Sequence, residues 1–110
     1  MIIKEIFIKV LYLLLLIYLS IFIPVLWGYK PLVIISGSME PILKVGGILY
    51  YKDIELTEYK KEDIVVFKSN KYLISHRIVE INDIGFITKG DANKNIDSKT
   101  LNFDKVLGKG

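Results

Sequence analysis

The sequence contains no cysteine, one histidine, three prolines and a single alanine, Ala92, in 110 residues. The lack of cysteine excludes a disulfide scaffold, thiolate metal sites and thiol nucleophiles. With His76 as the sole imidazole, a multi-histidine metal centre cannot form within one chain. Charge of neither sign dominates: 15 basic and 12 acidic side chains leave a formal net charge of +3. That is far from the strongly basic footprint of a nucleic-acid binder, so no nucleic-acid partner is expected. Internal repeats and low-complexity segments are also missing. At about 100–200 residues per domain, the length allows one small domain at most.

What is present is unevenly placed. The 18 residues from Val10 to Trp27 carry no charge and include Leu11, Leu13 to Ile17, Leu19 and Ile21 to Ile23. As a helix they would extend about 27 Å, close to the ~30 Å hydrocarbon thickness. Ile6 to Ile8 lengthen the stretch if Lys9 snorkels toward the headgroups. Trp27 and Tyr29 suit the far interface. A cleaved signal peptide would have an apolar core of only ~7–15 residues followed by small residues. Here Pro24, Val25, Leu26 and Trp27 follow, so residues 1–29 are expected to form an uncleaved anchor. Lys4 and Lys9 before the span favour a cytoplasmic N-terminus, with the remainder on the outer face of the cell membrane.

Setting aside residues 1–27 leaves 83 residues with a charge of +2, a size at which a single core can just fold. The pattern there changes to short β-branched runs: Leu32 to Ile35, Ile48 to Tyr51, Ile64 to Phe67, Tyr72 to Ile81 and Gly85 to Thr88. Ser36-Gly37-Ser38, Gly46-Gly47, Ser69-Asn70 and Asn82-Asp83 punctuate them. Such spacing predicts antiparallel hairpins. Only Asp53 to Lys61 reads as helical or irregular. The fold class is therefore mainly β: an N-terminal transmembrane helix, then a small antiparallel β domain over residues 30–110.

Three segments have residues suited to catalysis. Ser36-Gly37-Ser38-Met39-Glu40-Pro41 presents serines on a turn where Gly37 permits close backbone approach, although an ordinary polar turn would look the same. Ser75-His76-Arg77-Ile78-Val79 puts His76 in a strand-like stretch, on one face with Ile74 and Ile78. Imidazole, with an unperturbed pKa near ~6.5, is the natural base for a serine, but a lone histidine is equally an ordinary core or surface residue. Lys89 to Asp97 forms an Asx-rich loop in which Asp91 or Asp97 can orient an imidazole, or merely be solvated. Calcium fits poorly, because the loop lacks the Asp-x-Asp-x-Asn-Gly pattern and a terminal glutamate. A lysine base would need burial, and Lys68 and Lys71 flank a hairpin turn.

Taken together, these segments resemble a type I signal peptidase of the endoplasmic-reticulum and archaeal type, which also occurs in some Gram-positive bacteria. The boxes Ser36–Pro41, Glu62-Asp63-Ile64-Val65-Val66-Phe67, Ser75–Val79 and Thr88-Lys89-Gly90-Asp91-Ala92-Asn93 follow the family's order behind one anchor. The resemblance implies a β catalytic domain of signal-peptidase, LexA-like, type. It implies a serine endopeptidase in which Ser38 is the nucleophile, His76 the base and Asp97 the orienting acid. Asp91 then has a supporting role, and the Ser36 hydroxyl joins the Ser38 amide in the oxyanion hole. No cofactor and no metal are implied. The implied partners are the signal peptides of secretory preproteins, the lipid bilayer and the protein-export translocon.

The sequence departs from the family at Gly46-Gly47-Ile48, where glycine-aspartate is usual, and at Val106 to Gly110, beyond which relatives continue into a further strand. A domain truncated at its C-terminus is one expectation from that. An inactive, membrane-tethered β module that binds a partner is the alternative function. A self-cleaving LexA-like protease is disfavoured, since such proteins pair serine with lysine and cut between small residues.

Overall fold

The structure is a computed structural model that describes residues 2–110. Helix α1, Ile2–Leu26, buries none of its residues against the rest of the chain. A helix apolar all round cannot present one face to a core and another to water, so its length and composition make it a candidate membrane span. Pro24 sits within its last turn. The helix stops at Gly28, whose φ of +88° is left-handed. The Gly28 amide donates to the Val25 carbonyl at 3.1 Å, and the Tyr29 amide reaches back to the Pro24 carbonyl at 3.1 Å. This is a Schellman ending, which satisfies carbonyls that the helix alone would orphan.

Seven strands follow. Strands β1 (Lys30–Val33) and β2 (Ile48–Tyr51) pair antiparallel as a two-stranded sheet. A five-stranded antiparallel sheet comprises β3 (Ile64–Ser69), β4 (Tyr72–Ile81), β5 (Gly85–Lys89), β6 (Leu101–Asn102) and β7 (Val106–Lys109). Its spatial order is β6-β5-β4-β3-β7. Lys52 and Lys109 exchange backbone hydrogen bonds of 2.9 and 2.8 Å, which joins the end of β2 to β7.

The β-rich reading from sequence holds, with two differences. The first strand spans Lys30–Val33 instead of Leu32–Ile35, so Ile34 to Ser36 are left extended on the way to a turn. Asp53 to Lys61 is irregular around a single 3-10 turn, Leu56–Glu58, in agreement with the sequence. Strands β6 and β7 have no counterpart among the strands that the sequence pattern predicts, and β7 occupies the edge beside β3.

The core is built from Tyr59, Val65, Ile78, Phe86 and Leu101, with Ile54, Phe67, Phe103 and Val106 packed around it. Phe86 is at its centre, 5.2 Å between ring centroids from both Tyr59 and Phe103. Offset and edge-on ring contacts of this kind add to simple area burial. The consequence for function is positional: β4 is held on both sides, by β3 and β5, so a side chain at its middle is fixed to a rigid frame.

Candidate active site

Ser38 lies in the 3-10 turn Gly37–Met39, which Ser36 caps. The Ser38 amide donates to the Ser36 Oγ at 3.2 Å, and the Ser36 hydroxyl lies 3.3 Å from the Ser38 Oγ. Below the turn, Met39 is 1% exposed and anchors it in the domain. Beside it, the Ala92 amide donates to the Ser38 carbonyl at 2.8 Å. Gly90 packs so closely that an added Cβ would be 2.7 Å from the Ser38 carbonyl oxygen and 3.0 Å from its Cβ. The loop after β5 therefore clamps the serine turn.

His76 sits in the middle of β4, opposite Val65 of β3, and is buried. The edge of its ring faces Phe67, with 6.1 Å between centroids. Its Nε2 is 3.2 Å from the Ser38 Oγ, and its Nδ1 is 2.7 Å from the Asp97 Oδ2. As a carboxylate, Asp97 can only accept, so Nδ1 carries the proton in that contact. A neutral ring then presents its Nε2 lone pair to the serine hydroxyl. In chemical terms, such a chain can withdraw a proton from the hydroxyl as it attacks a carbonyl, then return it to a leaving group.

Asp91, the other candidate acid, is placed elsewhere. It accepts a two-pronged pair from Arg77, with Nε at 2.9 Å and Nη2 at 2.8 Å. The Arg77 hydrogen bond holds the Asp91 carboxyl below its ordinary range, and the same bond raises the guanidinium. Arg77 also donates to the Glu62 carbonyl at 2.6 Å. Asp91 thus braces the loop against β4 without touching the imidazole. Of the two aspartates, Asp97 contacts the imidazole and Asp91 contacts Arg77. Ser36 is next to the Ser38 amide, but the two are bonded to each other, so an incoming carbonyl oxygen must displace the Ser36 hydroxyl to reach that amide.

A cleft of about 280 Å³ opens at Ser38 and His76, walled by residues 32–36 on one side and 72–76 on the other. Its lining is largely aliphatic: Leu32, Val33, Ile34, Ile35, Leu73 and Ile74. On the far side of His76 lies a second, more polar hollow of about 430 Å³, which Asp97 and Thr88 also line. In the sequence Thr88 ends the strand-like run Gly85 to Thr88 and opens the box Thr88 to Asn93, with no motif that marks it as a site residue. The signal available was a polar residue closing the otherwise apolar strand Phe86-Ile87-Thr88, since a buried hydroxyl requires a partner.

A serine hydroxyl, an imidazole and a carboxylate in contact beside a cleft are groups that can carry out hydrolysis, and they lie behind a helix that is a candidate membrane span. Comparison with known sequences points the same way. The chain is 35% identical over 89 residues to signal peptidase I W of Bacillus subtilis, covering 76% of this chain and 47% of that protein. It is 36% identical over 76 residues to the signal peptidase complex catalytic subunit SEC11C of Homo sapiens and of Canis lupus familiaris, covering 63% of this chain and 39% of theirs. These similarities support the signal peptidase family and a peptidase hydrolase. The matched stretch spans less than half the length of each relative. No protein-family profile matches the sequence, and no solved structure matches the fold.

Proposed function

We propose that this chain is a membrane-bound serine endopeptidase that removes N-terminal signal peptides from exported proteins. The observation that carries the reading is the contact chain from Ser38 Oγ to His76 Nε2 and from His76 Nδ1 to Asp97 Oδ2, at 3.2 and 2.7 Å. In the reaction, His76 takes the Ser38 proton as Oγ attacks the scissile carbonyl. The Ser36 hydroxyl, swung off the Ser38 amide, joins that amide in donating to the oxyanion. The imidazolium, stabilised by Asp97, gives its proton to the departing amine. Water then attacks the acyl-serine ester, with His76 again as base, and releases the signal peptide. Asp91 supports the site through Arg77.

The cleft suits an extended peptide lying between residues 32–36 and 72–76, with small apolar side chains directed into its aliphatic wall. Tyr50 of β2 donates to the Ile21 carbonyl, and the Lys52 ammonium lies 5.5 Å from the centre of the Tyr29 ring. These contacts hold the domain against the end of the helix and support a reading in which the cleft works near the bilayer surface. A signal peptide exposes its cleavage site there, just past its own apolar segment. Confinement of both to one membrane raises their effective concentration. The reading places the N-terminus in the cytoplasm and the β domain on the outer face of the cell membrane, working on preproteins at the export translocon.

The test is to incubate the detergent-solubilised full chain with a secretory preprotein, in parallel with Ser38→Ala, His76→Ala and Asp97→Ala variants. The wild type should release a mature protein with one defined new N-terminus. The Ser38 and His76 variants should lose at least ~10³-fold in rate. Equal processing by wild type and Ser38→Ala would overturn the reading.

A further inference from the structure

We infer that Thr88 is a positioning residue for the reaction, whose hydroxyl fixes the Asp97 carboxylate in the orientation that accepts the His76 proton. The inference rests on the assignment of Ser38, His76 and Asp97 as the catalytic set. Thr88 is 1% exposed on β5, and its Oγ1 donates to the Asp97 Oδ2 at 2.6 Å. That is the same oxygen that receives His76 Nδ1 at 2.7 Å. Asp97 itself comes from an irregular loop and is a quarter exposed along its side chain. It also lines the open hollow of about 430 Å³ behind the ring. With the imidazole as its only donor, the carboxylate could rotate to expose its oxygens to water there. A second donor on a rigid strand removes that freedom.

A merely structural role for the hydroxyl, as a tie holding the loop to the sheet, is already filled by the backbone. The Asp97 amide donates to the Thr88 carbonyl at 2.8 Å, a bond that any residue at position 88 retains. What the side chain adds is its contact with the carboxylate. By fixing Oδ2, Thr88 also fixes which ring nitrogen carries the proton, and so keeps Nε2 free to face Ser38. This is the logic by which outer partners orient ligating or catalytic histidines elsewhere, where their loss typically costs about 10–100-fold.

The experiment compares Thr88→Val, which preserves shape and removes the hydroxyl, with Thr88→Ser, which preserves the hydroxyl. Both are made in the full chain, with Ser38→Ala as control. Thr88→Val should lower kcat by about 10–100-fold with KM within about twofold, and Thr88→Ser should recover most of the loss. In an Asp97→Ala background, Thr88→Val should cost nothing more, because its effect passes through the missing carboxylate. A readout that needs no substrate is available because His76 is the chain's single histidine. The downfield Nδ1 proton resonance of the ¹⁵N-labelled ring should persist in wild type and Thr88→Ser and weaken or vanish in Thr88→Val. If Thr88→Val does not fold, Thr88→Ala carries the same expectations. An unchanged kcat and an unchanged Nδ1 resonance in the variant without the hydroxyl, with Ser38→Ala inactive, would overturn this inference alone. A wild-type chain that cleaves no preprotein would overturn the peptidase reading, and the inference with it.

Discussion

Tyr59 packs its ring against Phe86 while its phenol oxygen, among the described residues, is a buried side-chain polar atom with no hydrogen-bond partner. Burial, reinforced by the nearby charges of Asp53 and Asp63, pushes its pKa up to about 12. The neutral phenol is therefore favoured in the folded chain. Its contribution to stability is complete below the ordinary phenol pKa of ~10 and is lost as the pH climbs through about 12. Tyr59→Phe removes an unsatisfied hydroxyl without opening a cavity. It should leave stability at pH 7 within about 1 kcal/mol of wild type, or raise it, and flatten the fall of melting temperature above pH 10. Asp97→Asn acts differently. An amide facing Nδ1 can donate, which favours the tautomer with its proton on Nε2 and so blocks the serine's base. The expected loss in kcat is about 10³–10⁴-fold with the fold intact, measurable by preprotein cleavage beside circular dichroism.

Among the elements, the loop after β5 has the most work to do, since its start clamps the serine turn and its end supplies Asp97. Gly90→Ala puts a methyl group where only 2.7 Å separates the Cβ position from the Ser38 carbonyl oxygen. Either the loop or the turn must shift, and a displaced nucleophile should lower kcat by about 100-fold while the melting temperature changes little. Much of this level was legible in the sequence. Ile48 to Tyr51 alternates too little to fix a face, yet its Gly46-Gly47 entry and β-branched start mark a strand, and the observed bounds agree. Tyr72 to Ile81 reads as one long strand because no turn residue interrupts it, and that placed His76 mid-strand correctly. β6 is two residues long, too short for any periodicity. β7 is interrupted by Gly108 and gains its identity only from pairing with β3, a partner about forty residues earlier in the chain. The contacts of Arg77 with Asp91 and of Thr88 with Asp97 depend on how the loop after β5 folds back onto β4 and β5, a path that spacing alone does not specify.

Taken whole, the molecule is an apolar rod joined through one Schellman turn to a small β domain. The helix buries none of its residues in the rest of the chain, which suits it to a membrane span. Leu14→Arg combined with Ile17→Arg, one turn apart at its centre, adds about 5–7 kcal/mol to the insertion cost. The doubly substituted chain should be extracted from membranes by alkaline carbonate, whereas the wild type stays in the pellet. The β domain has its own core around Phe86 and does not rely on the rod for packing. The claim on which the functional reading turns is that Ser38 becomes acylated. An ester analogue of a signal-peptide cleavage site, mixed with the full chain and quenched in acid within milliseconds to seconds, tests it by peptide mass mapping. The expected result is the acyl fragment, less its leaving group, joined to the Ser38 oxygen in wild type and missing from Ser38→Ala. Turnover of that ester with no adduct on Ser38, and at the same rate in Ser38→Ala, would contradict it.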